Sequence, residues 1–434
     1  MKVFLDSVGC KLNQSEIERM AHQLRQAGHK LVATPEESDL VVINTCSVTA
    51  AAAADSRSKA RSVHRRNQLA QIVLTGCWSD LEPQAAIALP GVTQVIPNQG
   101  KDCLIPHILG LPEDELDWKP LERQPIPGTR RRTRAFIKVQ DGCDNYCTFC
   151  LATIARGPAR SQPIDHVVNE IRSAIAGGAK EVVLTGAQLS AYGRDLSGCV
   201  DLTTLLHLIL TGTDVLRVRL SSMEPWGIPN DLFSIMQSPR ICRHLHLPLQ
   251  SGCDRTLRRM GRLIRSEDYA RIITEAREAI PGLAVTTDVM VGFPGETEDE
   301  YAESLAFIEA MMFARAHVFV YSPRPGTAAV HLPDHVPVQV AQKRSRQVRE
   351  VVAHSGSMFR AKFVGEVMSV LWESAKASSP KGWEMSGLTD NYLRVNTFSD
   401  QNIQNRLTDV HIVGVDGERL CGELVPSMTP LKKG

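Results

Sequence analysis

Read from residue 1, the apolar positions fall into short runs separated by stretches with helical spacing. "KVFLDSV" has the character of a strand, and apolar residues then recur three and four apart from Ser15 to about Gln26, where Gly28 stops the helix. "LVVINT", a helical pattern over about 50–66, and "QIVLT" follow. Strands alternating with helices of this length predict an α/β unit built on a parallel sheet. In "LPEDELDWKPLERQPIPGTRR" the prolines and Gly128 break any period, so this stretch reads as a linker. A second series starts after it, with strand runs at 135–140, 181–185, 216–221, 244–249, 284–291 and 315–321 and helical patterns between several of them. Six such repeats predict a partial (β/α)6 barrel, open on one side, with its chemistry at the C-terminal ends of the strands. From about 362 the period shortens to two in "EVMSVLW", "YLRVNTF" and "DVHIVGV", the pattern of a small all-β barrel. The expected fold class is therefore α/β in three domains, at 1–112, 129–360 and 361–428, with the linker at 113–128.

A chain of 434 residues is long enough for two or three cores. Its longest apolar runs fall far short of a membrane span, and the N-terminus opens on a strand rather than on a basic-then-apolar signal. The expectation is a cytoplasmic protein with no membrane partner. In that reducing compartment eleven cysteines point to metal or redox chemistry rather than to disulfides. The net charge of +1 gives no sign of a polyanion partner, but the basic residues are bunched. Arg130, Arg131, Arg132 and Arg134 precede one cysteine group. Arg255, Arg258, Arg259, Arg262 and Arg265 form a second bunch, and Lys343, Arg344, Arg346 and Arg349 a third.

Within "DGCDNYCTFC" three thiols, Cys143, Cys147 and Cys150, occupy eight positions directly after a strand. A tetrahedral zinc ion or a four-iron cluster wants four ligands, and no fourth Cys or His follows within fifteen residues. Either a distant ligand completes a zinc site or the fourth position belongs to a small molecule. Three further cysteines share an address. "KVFLDSVGC", "SDLVVINTC" and "AQIVLTGC" put Cys10, Cys46 and Cys77 at or just past strand ends, on one edge of a parallel sheet.

The C-x-x-x-C-x-x-C loop resembles that of the radical S-adenosylmethionine (SAM) family. There a cluster held by three cysteines leaves one iron for the amino and carboxylate groups of SAM. The resemblance implies that Phe149 lies near the adenine, that Thr185 and Gly186 in "LTGAQLSAYG" meet the amino group, and that Ser222 and Glu224 in "LSSMEP" lie near the ribose. It also implies that Val291 and Phe293 in "TDVMVGFPGET" close the cofactor site. "SVGCKLNQSE", "NTCSVT", "TGC", "LQSGCDRTLRRMGR", "VGFPGETEDEY" and "YSPRPGTAA" extend the likeness over nearly the whole chain, and together they are similar to the methylthiotransferases. "GCKLNQSE" is most similar to the branch acting on N6-threonylcarbamoyladenosine beside the tRNA anticodon.

That family implies a second [4Fe-4S] cluster on Cys10, Cys46 and Cys77 carrying the sulfur, SAM as cofactor, a C-terminal TRAM-like RNA-binding barrel, and the tRNA anticodon stem-loop as partner. It further implies an electron donor such as a flavodoxin or ferredoxin, and a sulfur source. The reaction fits the substrate, because no acid or base activates an adenine C2 hydrogen and a 5′-deoxyadenosyl radical does. Unstacked loop bases are also what sequence-specific RNA readers target. Other readings remain: action on isopentenyladenosine in tRNA, action on a ribosomal-protein aspartate, or a non-catalytic iron–sulfur RNA-binding protein.

Two segments depart from the family pattern. "CLATIARGPARS" differs after the third cysteine, with Arg156, Gly157 and Arg160 as candidate phosphate or substrate contacts. Residues 366–434 hold seven basic and nine acidic residues, so RNA binding is expected to rest on the Arg-rich segments of the core. Cys103, Cys199, Cys242, Cys253 and Cys421 lack partner spacing and read as packing residues. His244 and His246 alternate along one strand, as barrel-lining or structural histidines.

Overall fold

The computed structural model of the chain describes all residues except 113–115, 117–125, 128–132, 199, 379–381 and 427–434. Most of the expected linker, with Arg130, Arg131 and Arg132, lies outside the described residues, as does Cys199.

At the N-terminus β1 (Lys2–Ser7), β2 (Lys30–Leu31), β3 (Leu40–Thr45), β4 (Gln71–Gly76) and β5 (Val92–Ile96) form one parallel sheet in the order β2-β1-β3-β4-β5. Every residue of the central β3 is buried, as expected when both faces are covered. On one face Val3, Leu5 and Val42 pack with Ile17, Met20 and Leu24 of the helix Lys11–Gln26. On the other, Val41, Ile43 and Leu74 pack with Ala53, Ala60 and Val63 of the helix Ala50–Arg66. The first helix begins four residues before the sequence pattern does, because the chain turns from β1 straight into it at Cys10.

The central domain opens on β6 (Arg134–Lys138), followed by a two-residue antiparallel ribbon of β7 (Gln140–Asp141) with β8 (Arg160–Ser161) that no periodicity announces. Next come β9 (Glu181–Thr185), β10 (Arg217–Leu220), β11 (His244–His246), β12 (Ala284–Val291) and β13 (Arg315–Val320). Parallel pairing joins β6, β9 and β10 into one wall and β11, β12 and β13 into another. Bridges Val218↔Ile241 and Ser222↔His246 connect the two walls into a partial barrel. Helices pack outside on a core that includes Val182, Leu184, Leu220, Leu245, Val285 and Val289. The short β11 ends two residues before Pro248, which has no N–H to give the ladder.

The C-terminal strands β14 (Val367–Ser378), β15 (Gly382–Thr389), β16 (Arg394–Ser399), β17 (Leu407–Asp416) and β18 (Arg419–Leu424) close a barrel in the order β14-β15-β16-β18-β17 around Val370, Trp372, Met385 and Ile412. This small barrel seats on the N-terminal ends of the core strands. Arg217 of β10 donates to the carbonyls of Leu388 (3.2 Å) and Ser369 (2.6 Å). Arg219 pairs with Glu181 (2.7 Å) while donating to the carbonyls of Thr389 (3.1 Å) and Asp390 (3.0 Å). Arg243 binds Asp390 at 2.6 Å. Past Asp390, Tyr392 lies with its ring 4.7 Å from the Arg219 guanidinium, 5.7 Å from Lys11 Nζ and 4.6 Å from the His244 ring. The turn after β15 thus forms a floor for the core. Among the described residues no helix is long and apolar enough to cross a membrane.

Candidate functional site

The first cysteine group lies on the C-terminal edge of the N-terminal sheet. Cys10 sits three residues past β1, Cys46 directly after β3, and Cys77 directly after β4, where it opens the helix Cys77–Leu81. Gly9 has φ +103°, and a Cβ there would stand 2.4 Å from Cys46 Sγ, so the two turns approach this closely only through glycine. Asn13 Nδ2 ties them together by donating to the carbonyls of Val8 (2.8 Å) and Thr45 (2.9 Å). Burial pushes the Cys46 thiol up to about 11, and the nearness of Cys10 and Cys77 adds to the rise.

The second group is pinned from several sides. Gly142 has φ +70°, and a Cβ there would fall 1.9 Å from the Pro158 carbonyl oxygen, while Cys143 N–H donates to the Gly157 carbonyl at 3.0 Å. Gln140 donates to the carbonyls of Asp141 and Gly142, both at 2.8 Å, and accepts from Gln188 N–H at 2.7 Å. Gln188 in turn accepts from Asp144 N–H at 3.1 Å. Thr148 N–H donates to the Met260 carbonyl, and its hydroxyl to that of Arg259, both at 2.9 Å. Burial pushes the Cys143 thiol up to about 12 and that of Cys150 to about 11, and each rise is increased by Glu224 and the neighbouring sulfurs. Thiols so crowded ionise when a metal centre takes them as ligands. Donors already face the sulfurs, with Ala152 N–H 3.3 Å from Cys150 Sγ and Arg262 Nη1 3.8 Å from Cys147 Sγ.

The spacing of the sulfurs bears on which metal centre fits. A tetrahedral zinc ion draws thiolates to about 3.8 Å of one another, whereas a four-iron cluster holds them further apart. Among the described residues, the one group of His, Cys, Asp and Glu with three donor atoms all within 4.8 Å contains no cysteine. In neither cysteine group do all three sulfurs lie within that distance of one another.

Around the second group, Phe149 packs edge-on against Phe293 with ring centroids 6.4 Å apart, and Phe293 against Tyr321 at 5.3 Å. Thr185 is buried and donates its hydroxyl to the Ile137 carbonyl at 3.0 Å, which leaves its oxygen free only to accept, the polarity an ammonium group needs. Gly186 admits Gln140, whose Oε1 would be 2.9 Å from a Cβ. Ser222 is exposed. Glu224 Oε2 is buried with no partner, and burial raises its carboxyl against the pull of Arg262. Val291 belongs to the helix-side core, and its carbonyl accepts from Tyr321 N–H at 2.9 Å.

Several expected phosphate contacts turn out to be internal. Arg156 is buried and binds Glu16 (3.0 Å), Asp141 (2.7 Å) and Asn13 (2.7 Å), so it straps the core to the N-terminal domain rather than reaching solvent. Lys101 meets the same Glu16 at 2.8 Å, and Lys138 reaches Asp102 at 2.5 Å. Arg134 pairs with Glu373 at 2.7 Å, Arg259 is bound to Glu300, and Arg344 holds Glu296 (2.7 Å) and Glu298 (2.9 Å). Arg262 lies buried beneath the cysteine loop, stacked 4.3 Å from the Trp226 ring and donating to the Pro248 carbonyl. Arg258, Arg265, Lys343 and Arg346 are exposed. From the end of β13, Arg324 crosses to donate to the Ser47 carbonyl next to Cys46. Arg324 and the Gln140–Gln188 pair were not singled out by spacing, and Arg262 only as one of a basic bunch, because each partner lies far along the chain.

Residues 2–96 match the Uncharacterized protein family UPF0004, and residues 137–308 match the Radical SAM superfamily. The chain is 32% identical to the threonylcarbamoyladenosine tRNA methylthiotransferase of Bacillus subtilis, over 95% of this chain and 93% of that one. To the protein of the same name from Thermotoga maritima it is 33% identical, over 95% and 94%. To a tRNA-2-methylthio-N6-dimethylallyladenosine synthase of Clostridium tetani it is 29% identical, over 97% and 96%. In fold it resembles the radical S-adenosylmethionine methyltransferase TsrM of Kitasatospora setae, with a TM-score of 0.58, 16% identity, and coverage of 76% of this chain and 77% of that one.

Proposed function

The chain belongs to the radical SAM methylthiotransferases, and on that premise we propose that it inserts a methylthio group at C2 of N6-threonylcarbamoyladenosine in the anticodon loop of tRNA. The observation that carries this reading is the placement of two three-thiol groups on facing domains. The Arg156 guanidinium bonds on one side to Asn13, three residues after Cys10, and on the other to Asp141, two residues before Cys143. Cys143, Cys147 and Cys150 would hold the cluster that binds SAM, and Cys10, Cys46 and Cys77 the second cluster. When bound, these groups supply the one-electron and sulfur chemistry that an adenine C–H bond requires.

The chain's own residues prepare the site. Phe149, packed on Phe293, gives a flat apolar surface for an adenine, while the free lone pairs of Thr185 and the unpartnered Glu224 Oε2 accept from amino and hydroxyl groups. Gln140 and Gln188 fix the backbone of the cysteine loop. Arg262 donates toward Cys147 and offsets negative charge there. The lumen below carries Lys11, Arg219 and Arg134 around Tyr392. Arg219 and Arg134 are already paired with Glu181 and Glu373, so it is Lys11 that suits a base whose side chain ends in a carboxylate better than one bearing an apolar prenyl group. The exposed Arg258, Arg265, Lys343 and Arg346 would contact stem-loop phosphates, with the closed five-stranded barrel acting as a TRAM-like module beside them. A flavodoxin or ferredoxin would deliver electrons, and a separate source the sulfur.

The test is anaerobic incubation of cluster-loaded protein with SAM, a reductant and anticodon stem-loops carrying either threonylcarbamoyl- or dimethylallyl-adenosine, followed by mass analysis of the nucleosides. A methylthio gain on the first RNA is expected. Gain on the second alone overturns the branch assignment, and gain on neither overturns the function.

A further inference from the structure

The inner face of β11, β12 and β13 gathers side chains that the cluster and SAM chemistry does not use. In β12, Val285, Val289 and Val291 belong to the helix-side core, so Thr286, Asp288 and Met290 point the other way, into the lumen. The parallel register sets His317 of β13 directly beside Asp288, and His246 of β11 beside Thr286. As a result His317 Nδ1 lies 3.1 Å from Asp288 Oδ1 and His246 Nε2 lies 3.3 Å from Asp288 Oδ2. Donor atoms of these three residues all lie within 4.8 Å of one another, the only such group among the described residues.

From this geometry we propose that His246, Asp288 and His317 form a third metal site, separate from the six cysteines, that takes one divalent first-row transition ion. Two imidazoles and one carboxylate are the donor set that selects zinc or ferrous iron over calcium or magnesium, and three protein ligands leave coordination positions open. The second layer is in place as well. His246 turns its other nitrogen, Nδ1, to Thr286 Oγ1 at 2.9 Å, which fixes the ring with Nε2 toward Asp288.

Thr286 Oγ1 also lies 2.9 Å from His244 Nε2, and a hydroxyl has one hydrogen for two rings. When that hydrogen goes to His244, His246 must donate from Nδ1, and its Nε2 lone pair then faces a carboxylate oxygen. Either a proton on Nε2, which makes the ring an imidazolium paired with Asp288, or a metal cation between them makes that arrangement favourable. When the hydrogen goes to His246 instead, the three residues form a metal-free hydrogen-bonded relay. The metal-bound and metal-free arrangements differ in one measurable property, the retention of a metal ion.

Access and position fit a bound ion. His317 is 55% exposed, and with Thr286 it lines a cavity of about 1050 Å³ between β13, the helix Val338–Ala361 and the C-terminal barrel. Met290, two residues beyond Asp288 on the same face, packs against the cluster that includes Phe293 and Phe149. At about 3.3 Å per residue the site therefore lies roughly 7 Å along the strand from the aromatic wall of the proposed SAM pocket.

The test uses the full chain with both clusters loaded, so that the six cysteines are occupied, dialysed anaerobically against buffered free zinc, with zinc and iron counted separately. Wild type should retain about one zinc per chain. His317→Ala, at an exposed position, and the isosteric Asp288→Asn should each keep the iron content and circular dichroism of wild type yet bind zinc at least about tenfold more weakly. Wild type without zinc above background, or variants that hold zinc as wild type does, would overturn the proposal in favour of the metal-free relay or of adventitious binding elsewhere. The readout is independent of turnover, so the metal site and the methylthiotransfer reading can fail separately.

Discussion

Arg156→Met replaces the guanidinium by an apolar chain of similar length at the junction of two domains, and the structure fixes what is lost. Three hydrogen bonds go, to Glu16 at 3.0 Å, Asp141 at 2.7 Å and Asn13 at 2.7 Å. A hydrogen bond to a charged group contributes about 1.5–3 kcal/mol, but the three do not add, since Lys101 stays 2.8 Å from Glu16 and Lys138 stays 3.7 Å from Asp141. Removing one partner from a buried ion pair costs about 3–5 kcal/mol, and we expect that range here. Because the strap joins the helix Lys11–Gln26 to the core, the loss should appear as undocking rather than as uniform softening. Hydrogen exchange on cluster-free protein reads this directly. Amides of that helix should exchange roughly a hundredfold to several thousandfold faster, while amides of β12 keep their protection. A double-mutant cycle with Glu16→Gln should return a coupling of about 1–3 kcal/mol. A cost below about 1 kcal/mol, or strict additivity of the two changes, would refute the strap.

The remaining predictions concern the clusters and the floor. Replacing Cys143, Cys147 and Cys150 with Ala should lower the iron of anaerobically purified protein from about eight to about four per chain, measured by elemental analysis. Replacing Cys10, Cys46 and Cys77 should do the same while leaving reductive cleavage of SAM to 5′-deoxyadenosine intact and abolishing methylthio insertion. Gly9→Ala, whose Cβ would stand 2.4 Å from Cys46 Sγ, should reproduce the iron loss of that second triple variant with no cysteine removed. For Asp390, burial raises the carboxyl pKa, but the Arg243 hydrogen bond and nearby arginines outweigh it and hold it below the ordinary 3.8. Its contribution to docking of the C-terminal barrel is thus full above that value and lost as pH falls through the lower folded pKa. Protease cleavage between the core and that barrel should rise only in that acid window, and Asp390→Asn should remove the dependence.

What the sequence discloses follows the range of the interactions. Cys10, Cys46 and Cys77 were legible because each ends an apolar run, and a parallel sheet brings all such ends to one edge. The six core strands could be read from apolar runs bounded by turn residues. In the closing barrel β15 and β18 could not, since "GWEMSGLT" and "RLCGEL" interrupt alternation with glycine. The basic bunches misled for a different reason. Composition shows Arg259, Arg262 and Arg344 but not the Glu300, Cys147 and Glu296 they face, and those contacts depend on tertiary folding. Arg156 and Glu16 lie 140 positions apart, so no local pattern joins them. His246, Asp288 and His317 sit on three strands, and only the register of the finished sheet lines them up.

The floor beneath the core also sets an order of events during synthesis. Arg219 and the Asp390 carbonyl it binds are separated by 171 positions, and at about 5–20 residues per second a ribosome needs roughly ten to thirty seconds to travel from one to the other. Once β13 has been made, and until β15 follows, the nascent barrel stands with its lower mouth open, its Arg217 and Arg219 held only by Glu181, while all six cysteines of the two groups have already left the tunnel. A chain that stops before β15 is therefore a distinct species, with its thiol ligands in place and a ring of uncapped arginines that quality-control machinery can recognise.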